Sequence, residues 1–358
     1  MSIVVKQSFF NLITIGIAFL IGAVNTLYLY PTFLGSKLQG LVIALLAISN
    51  IIQPFLSFGT QHAVIRFYSR YRSNKEKNAV LTLSLIIPLI VTAIAVPLFY
   101  IYYDQIKVLL FQTENAFSQY AYVILFIAVS TSFFEIFYSW VRVKLKSVFG
   151  NFLKELYPRL LITFLLISYT LDYLDFEKFI LYLIYGYYLR LIIVMIYSFI
   201  INKPKISFHF KNDFKEIFRY SFLILLSGAA SSIILDIDKS MLSSILTVEN
   251  VAYYSVAIFI AAVIEIPGRA MFQILSPIVA DVINKNNKKK LKYLLKKSST
   301  NLVLVSSLFF LIINLNLTDF YEMLNQEGYS SGIPIIIIVS FAKLYSMSIG
   351  CINNIISN

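Results

Sequence analysis

Four stretches of this chain run without a charged side chain for far longer than a soluble fold needs: residues 7–36, 38–65, 78–103 and 298–318. A bilayer core about 30 Å thick is crossed by about 20 apolar helical residues, because a helix satisfies its backbone N–H and C=O groups within one segment. Over 358 residues, 59% are hydrophobic and 13% charged, against about 25% charged in soluble domains, and the mean hydropathy is +0.78. A soluble fold is ruled out; the chain reads as an all-α, polytopic integral membrane protein. Its first apolar segment lacks a small-residue cleavage site after a short core, so it reads as a retained helix rather than a signal peptide.

Breaking the chain at its polar stretches predicts ten spans, near 8–30, 38–62, 79–103, 116–140, 155–172, 178–201, 218–237, 250–281, 298–317 and 331–354. The fifth contains Arg159 and the sixth Arg190, so both need protein neighbours. The loops alternate in sign. Cations gather at Lys6 and within 66–77, 142–154, 203–219 (Lys211 among them) and 285–297. The opposite side holds only Lys37, Lys107, Lys178 and Lys239, beside acids such as Asp104, Glu114, Asp172, Asp175, Glu177, Asp319, Glu322 and Glu327. By the positive-inside rule the amino terminus is cytoplasmic. This spread over every loop of one face explains the net charge of +12 without nucleic acid. The densest cluster, 285–297, also suits anionic membrane lipids, at about 1 kcal/mol per residue.

Placing Gly40 against Ala252 aligns the second span with the eighth and the basic stretch 72–77 with 284–289, which reads as a parallel internal duplication. The expected organisation is two pseudo-repeated bundles of six and four helices: residues 1–203, a cytoplasmic linker at 204–217, and 218–358. The second bundle is two helices short of the first, as a truncation or a ten-span lineage.

Cys351 is the only cysteine, and His62 and His209 are too far apart for a zinc motif. No metal or other cofactor is expected, and no Gly-rich phosphate loop of the GxxxxGK[ST] type occurs. The outward loops are too short for an extracytoplasmic active site, so the chain is read as a non-enzyme acting within the bilayer.

Few charges lie inside the spans, and each costs about 2.5–3.5 kcal/mol at the bilayer centre unless it faces water or a partner. They are Glu135, Arg190, Glu265, Arg269 and Lys343, with Asp236, Asp238 and Lys239 at the outer end of the seventh span. Glu265 and Arg269 stand in i,i+4 order around Pro267 and Gly268. Glu135 reads as a proton carrier or, preferably, a partner of Arg142. Lys343 has Glu265 or Glu135 to pair with, and Arg66 stands at the inner end of the second span.

The stretch Leu235-Asp236-Ile237-Asp238-Lys239-Ser240-Met241-Leu242, then Val251-Ala252-Tyr253-Tyr254-Ser255-Val256-Ala257, and Ile266-Pro267-Gly268-Arg269-Ala270-Met271 through Ser276-Pro277, resembles the opening of a second half in the Wzx-type oligosaccharide flippases. These belong to the multidrug/oligosaccharidyl-lipid/polysaccharide exporter superfamily. Phe33-Leu34-Gly35 with Gln39-Gly40, and the stretch from Gly59 to Arg66, are similar to that family's amino-terminal pattern. The usual twelve or more spans are a departure from what is seen here, where the chain stops just after Gly350-Cys351-Ile352-Asn353-Asn354.

The resemblance implies a bacterial inner-membrane protein that flips a polyprenyl-pyrophosphate-linked oligosaccharide by alternating access. The product would serve O-antigen, capsule or exopolysaccharide assembly, with a polysaccharide polymerase as a downstream partner. Arg190, Arg269 and Lys343 are then expected to meet the pyrophosphate, with Arg66 at the cavity entrance. Glu135, Glu265, Asp236 and Asp238 remain for structural pairing or for a coupling proton or sodium ion. The rival readings are a multidrug cation antiporter, whose cavity should be acid-lined, and a membrane glycosyltransferase or polymerase using Asp236 and Asp238.

Overall fold

The computed structural model describes residues 3–110, 115–203, 205–208, 214–285, 287–324, 328–352 and 355. Glu114, His209, Lys211, Glu327, Asn353 and Asn354 lie outside them. The chain forms α1 (Ile3–Val24), a π-helical turn (Asn25–Leu29), α2 (Tyr30–Phe33), α3 (Gly35–Ser57), α4 (Thr60–Tyr68), α5 (Asn74–Ile101), α6 (Tyr103–Leu110), α7 (Asn115–Ser118) and α8 (Tyr122–Arg142). Then come α9 (Ser147–Asn151), a second π-turn (Phe152–Leu156), α10 (Tyr157–Thr170), α11 (Phe176–Asn202), α12 (Phe214–Ile245) and α13 (Val248–Ala262). A 3-10 turn (Val263–Glu265) leads into α14 (Ile266–Asn284), α15 (Lys288–Leu315), α16 (Leu317–Leu324) and α17 (Ile333–Ser348). Among the described residues there is no strand. The all-helical class follows from composition, since apolar segments in hydrocarbon must close their own backbone hydrogen bonds.

Nine helices among the described residues are long and apolar enough to cross a membrane. The expected fifth span is not one of them. Its place is taken by the continuous helical run 147–170, in which Lys154, Glu155 and Arg159 lower the hydropathy. That run packs against α1, and Asn25 of the π-helical turn that follows α1 is buried, donates to the Arg159 carbonyl at 2.9 Å, and accepts from the Thr163 hydroxyl at 2.7 Å. The Arg159 side chain lies across Gly22, its Nε 2.9 Å from where a Cβ would stand.

Two other spans differ from expectation. The seventh extends over Phe214–Ile245, so Asp236, Asp238 and Lys239 lie inside the helix rather than at its end. Lys239 pairs with Asp236 on the same helix, and Asn50 Nδ2 donates to Asp236 at 3.2 Å, which lets the charge persist there. The eighth is tightened to a 3-10 turn just before Pro267, which sits in the first turn of α14, where its missing N–H costs little.

By compactness the chain divides into Met1–Val251 and Ala252–Asn358. In the first unit α8 is the spine. Val123, Ile124 and Ile127 pack with α3, α10 and α11, while Phe134, Phe137, Trp140 and Val141 pack with α4, α5 and α11. Serines allow the close contacts, as where Ser49 donates to the Ile124 carbonyl at 3.1 Å and Ser130 to that of Tyr187 at 2.8 Å. Helix α11 starts at an N-cap, Asp175, whose carboxylate accepts from the Lys178 amide at 2.8 Å and the Lys178 ammonium at 3.0 Å. These bonds hold its carboxyl below the usual carboxylate range. In the second unit α14, α15 and α17 pack together, with Ser306 donating to the Ile264 carbonyl at 3.0 Å.

The second span is broken at Phe58 (φ 51°) and Gly59 (φ 66°), and α12 lies directly against the break. A Cβ on Gly59 would stand 2.5 Å from the Ser221 carbonyl oxygen and 2.9 Å from the Leu225 nitrogen. Gly35 has a similar φ of 72° and nothing within 4 Å of its would-be Cβ. Gly59→Ala is therefore expected to lower the apparent Tm in detergent by about 5 °C or more beyond the effect of Gly35→Ala. Equal losses would show that backbone strain, not the close approach of α12, governs position 59.

Candidate functional site

Beside that helix break lies a cavity of about 420 Å³, within the range of small-molecule sites. The end of α3 contributes Gln53, α4 contributes Gln61 and His62, and α8 contributes Glu135, Ser139 and Arg142. The second π-turn contributes Lys154, and α12 closes the opposite wall with Ser227, Gly228, Ser231 and Ser232.

Glu135 is the single acid lining this cavity, and Lys154 meets it at 2.7 Å. The partner thus comes from the neighbouring helical run, whereas Glu135's own helix had suggested Arg142. Arg142 rests over the Tyr138 ring at 5.7 Å. Apart from His62, the lining carries two cations and one paired acid, so an excess positive charge remains to meet an anion. Gln53 Nε2 and Gln61 Oε1 are enclosed polar atoms with no hydrogen-bond partner among the described residues. Such groups are costly unless something polar occupies the cavity beside them.

Of the eight residues singled out from the sequence, Glu135 alone lines this cavity. Arg190 does not line it: it is 4% exposed, with its guanidinium carbon 4.3 Å from the Phe134 ring centroid and 4.6 Å from that of Tyr187. It donates to the Thr131 hydroxyl at 3.1 Å, and its Nε has no partner among the described residues. Arg66 is exposed, sits over the Tyr220 ring of α12 at 4.4 Å, and does not line the cavity. Asp236 is held by Lys239 and Asn50, and Asp238 is exposed.

In the second unit, Glu265 is shared by Lys343 at 2.9 Å and Arg269 at 3.6 Å. Nearby, Gly268 of α14 packs against the end of the Met347 side chain. No group of three or more potential metal ligands occurs among the described residues.

Sequence reasoning missed Lys154, Arg142, His62 and the two glutamines as a site. In the sequence Lys154 and Arg142 read as loop cations that mark topology. A usable signal was present: the polar break Gly59–Gln61–His62 within an apolar span, and Ser227 and Ser231 of α12, four apart on one helical face.

Taken together, these features define a polytopic helical membrane protein whose first unit encloses a charged cavity. The family model for polysaccharide biosynthesis proteins matches residues 4–283, most of the chain, and the protein belongs to that family. The matched stretch includes every residue lining the cavity and ends before Lys343. No curated protein and no solved structure matches the chain. Its role lies in polysaccharide synthesis or export, at the membrane its helices cross.

The pairing can be tested by double-mutant cycles on unfolding in detergent. Glu135→Gln and Lys154→Met should show a coupling of about 0.5–1 kcal/mol, while Glu135→Gln with Arg142→Met should be additive within about 0.3 kcal/mol. The reverse pattern would contradict the assigned partner.

Proposed function

We propose that this protein carries a polyprenyl-pyrophosphate-linked oligosaccharide from the cytoplasmic to the outer leaflet, for cell-surface polysaccharide assembly. The observation that supports this reading most is the excess positive charge of the cavity, where Lys154 neutralises the single lining acid and Arg142 remains. A pyrophosphate crossing hydrocarbon needs cations already held in place, and arginine offers it a bidentate fork. In this reading Arg142 and Lys154 meet the pyrophosphate, the serines of α12 and the two glutamines meet sugar hydroxyls, and Arg190 supports the Glu135 side of the wall.

An anion moving outward runs with an inside-negative potential, worth about 2.3 kcal/mol per charge for each 100 mV. A potential-driven route therefore needs no nucleotide, and Glu135 is the residue through which a proton would couple. A multidrug cation antiporter requires an acidic cavity, which the Glu135–Lys154 pair does not provide.

In a bacterium lacking its polysaccharide flippase, the parent chain should restore surface glycan, measured by outer-leaflet labelling. Arg142→Ala combined with Lys154→Ala should cut the restored signal by about tenfold or more at equal membrane abundance. Full restoration by the double variant would remove the cavity cations from the mechanism.

A further inference from the structure

A second cavity, of about 660 Å³, lies where α5 and α11 meet the segment after α11. Its walls are apolar: Leu85, Ile86 and Leu89 on α5 face Phe199 on α11, and the buried Trp140 of α8 forms the floor. Its mouth is not. Lys203, turned into the left-handed region at φ 44°, and Lys205 stand there, both exposed and with no carboxylate partner among the described residues.

The segment carrying Lys205 is fixed in place over α5. The Ser207 amide donates to the Thr82 hydroxyl at 3.2 Å, and the Ser207 hydroxyl donates to the Lys75 carbonyl at 2.9 Å. On either side of that anchor, Ile206 is 83% and Phe208 66% exposed, an arrangement suited to a membrane interface and not to water. Two other apolar recesses, around Tyr103 and Tyr185, have no charged lining residue.

We propose that this groove is a binding site for an anionic phospholipid, with an acyl chain lying along α5 and over Trp140, and the phosphate headgroup between Lys203 and Lys205. The charge at the mouth selects the headgroup. Lysine near a membrane surface is worth about 1 kcal/mol toward an anionic lipid, or about fivefold in affinity per residue. The site is separate from the cavity at Glu135 and does not rest on the translocation reading.

Trp140 is the only tryptophan in the chain, so the floor of the groove reports its own occupancy. The protein is reconstituted in phosphatidylcholine nanodiscs, and phosphatidylglycerol or phosphatidylcholine with brominated acyl chains is titrated in while Trp140 emission is followed. Brominated phosphatidylglycerol should reach half-maximal quenching at a mole fraction about twenty-five times lower than the phosphatidylcholine analogue. Lys203→Gln and Lys205→Gln should each reduce that preference about fivefold, and the double variant should abolish it. Both side chains are exposed, and unchanged emission before titration verifies that the variants are folded.

Equal quenching by the two lipids in the parent, or a preference that survives in the double variant, would overturn the assignment. Displacement of phosphatidylglycerol by a trace of polyprenyl diphosphate would also overturn it, because the groove would then be a substrate site.

Discussion

A charge inside hydrocarbon persists only if protein surrounds it, and that requirement organises this molecule. Where the apolar helices carry ionisable residues, the structure supplies partners at close range: Lys154 for Glu135, Lys239 and Asn50 for Asp236, Lys343 and Arg269 for Glu265. Arg190 is met by aromatic faces and one hydroxyl in place of a carboxylate. Cation–π contacts of this kind are strongest when desolvated, at about 2 kcal/mol, which suits an arginine removed from both water and lipid. The helical run 147–170 shows the same rule at the scale of a whole segment. It packs against α1, and Asn25 of the turn after α1 bonds to the Arg159 carbonyl and the Thr163 hydroxyl.

The charged cavity is a product of the same packing. Helix α12 comes close to the second span because Gly59 leaves no side chain in the way, and the Phe58 and Phe218 rings meet at 5.2 Å, tilted by 36°, beside it. Further along, Arg66 covers Tyr220, and Arg70 grips both oxygens of Glu216 at 2.8 Å. Between these contacts and α8 the polar faces of α3, α4 and α12 are left facing one another. A π-turn, which re-aims side chains relative to a regular helix, presents Lys154 there. Backbone geometry thus sets a surplus cation where an anionic substrate would need one.

Much of the fold was legible from hydropathy alone. The apolar runs are long, the charges separating them are dense, and a helix is the one open element a bilayer accepts, so existence and type of the spans followed directly. The fifth span was not legible in full, because its place in the structure depends on a tertiary shelter that local composition does not encode. The site was less visible still. Counting Lys154 and Arg142 as topology markers is sound where basic residues flank spans, yet the same residues at the ends of packed helices reach inward. Arg190 drew attention as a lone arginine in a span and is instead enclosed by rings, a contact that depends on Phe134 from another helix. The pairing of Lys343 with Glu265 was one of two options, since which helices adjoin cannot be read from segments apolar on every face.

The central claim is that a lipid-linked anion crosses the bilayer through this protein. The direct measurement is transfer in proteoliposomes holding the purified chain and a polyprenyl-diphosphate oligosaccharide confined to one leaflet, read with a membrane-impermeant glycosidase on the other. The account predicts transfer that depends on the protein and strengthens when the potential drives an anion toward the enzyme side. It also predicts little transfer of a glycolipid with an uncharged linker. An absence of protein-dependent transfer at either sign of the potential, with the protein folded and inserted, or equal transfer of the uncharged analogue, would contradict it.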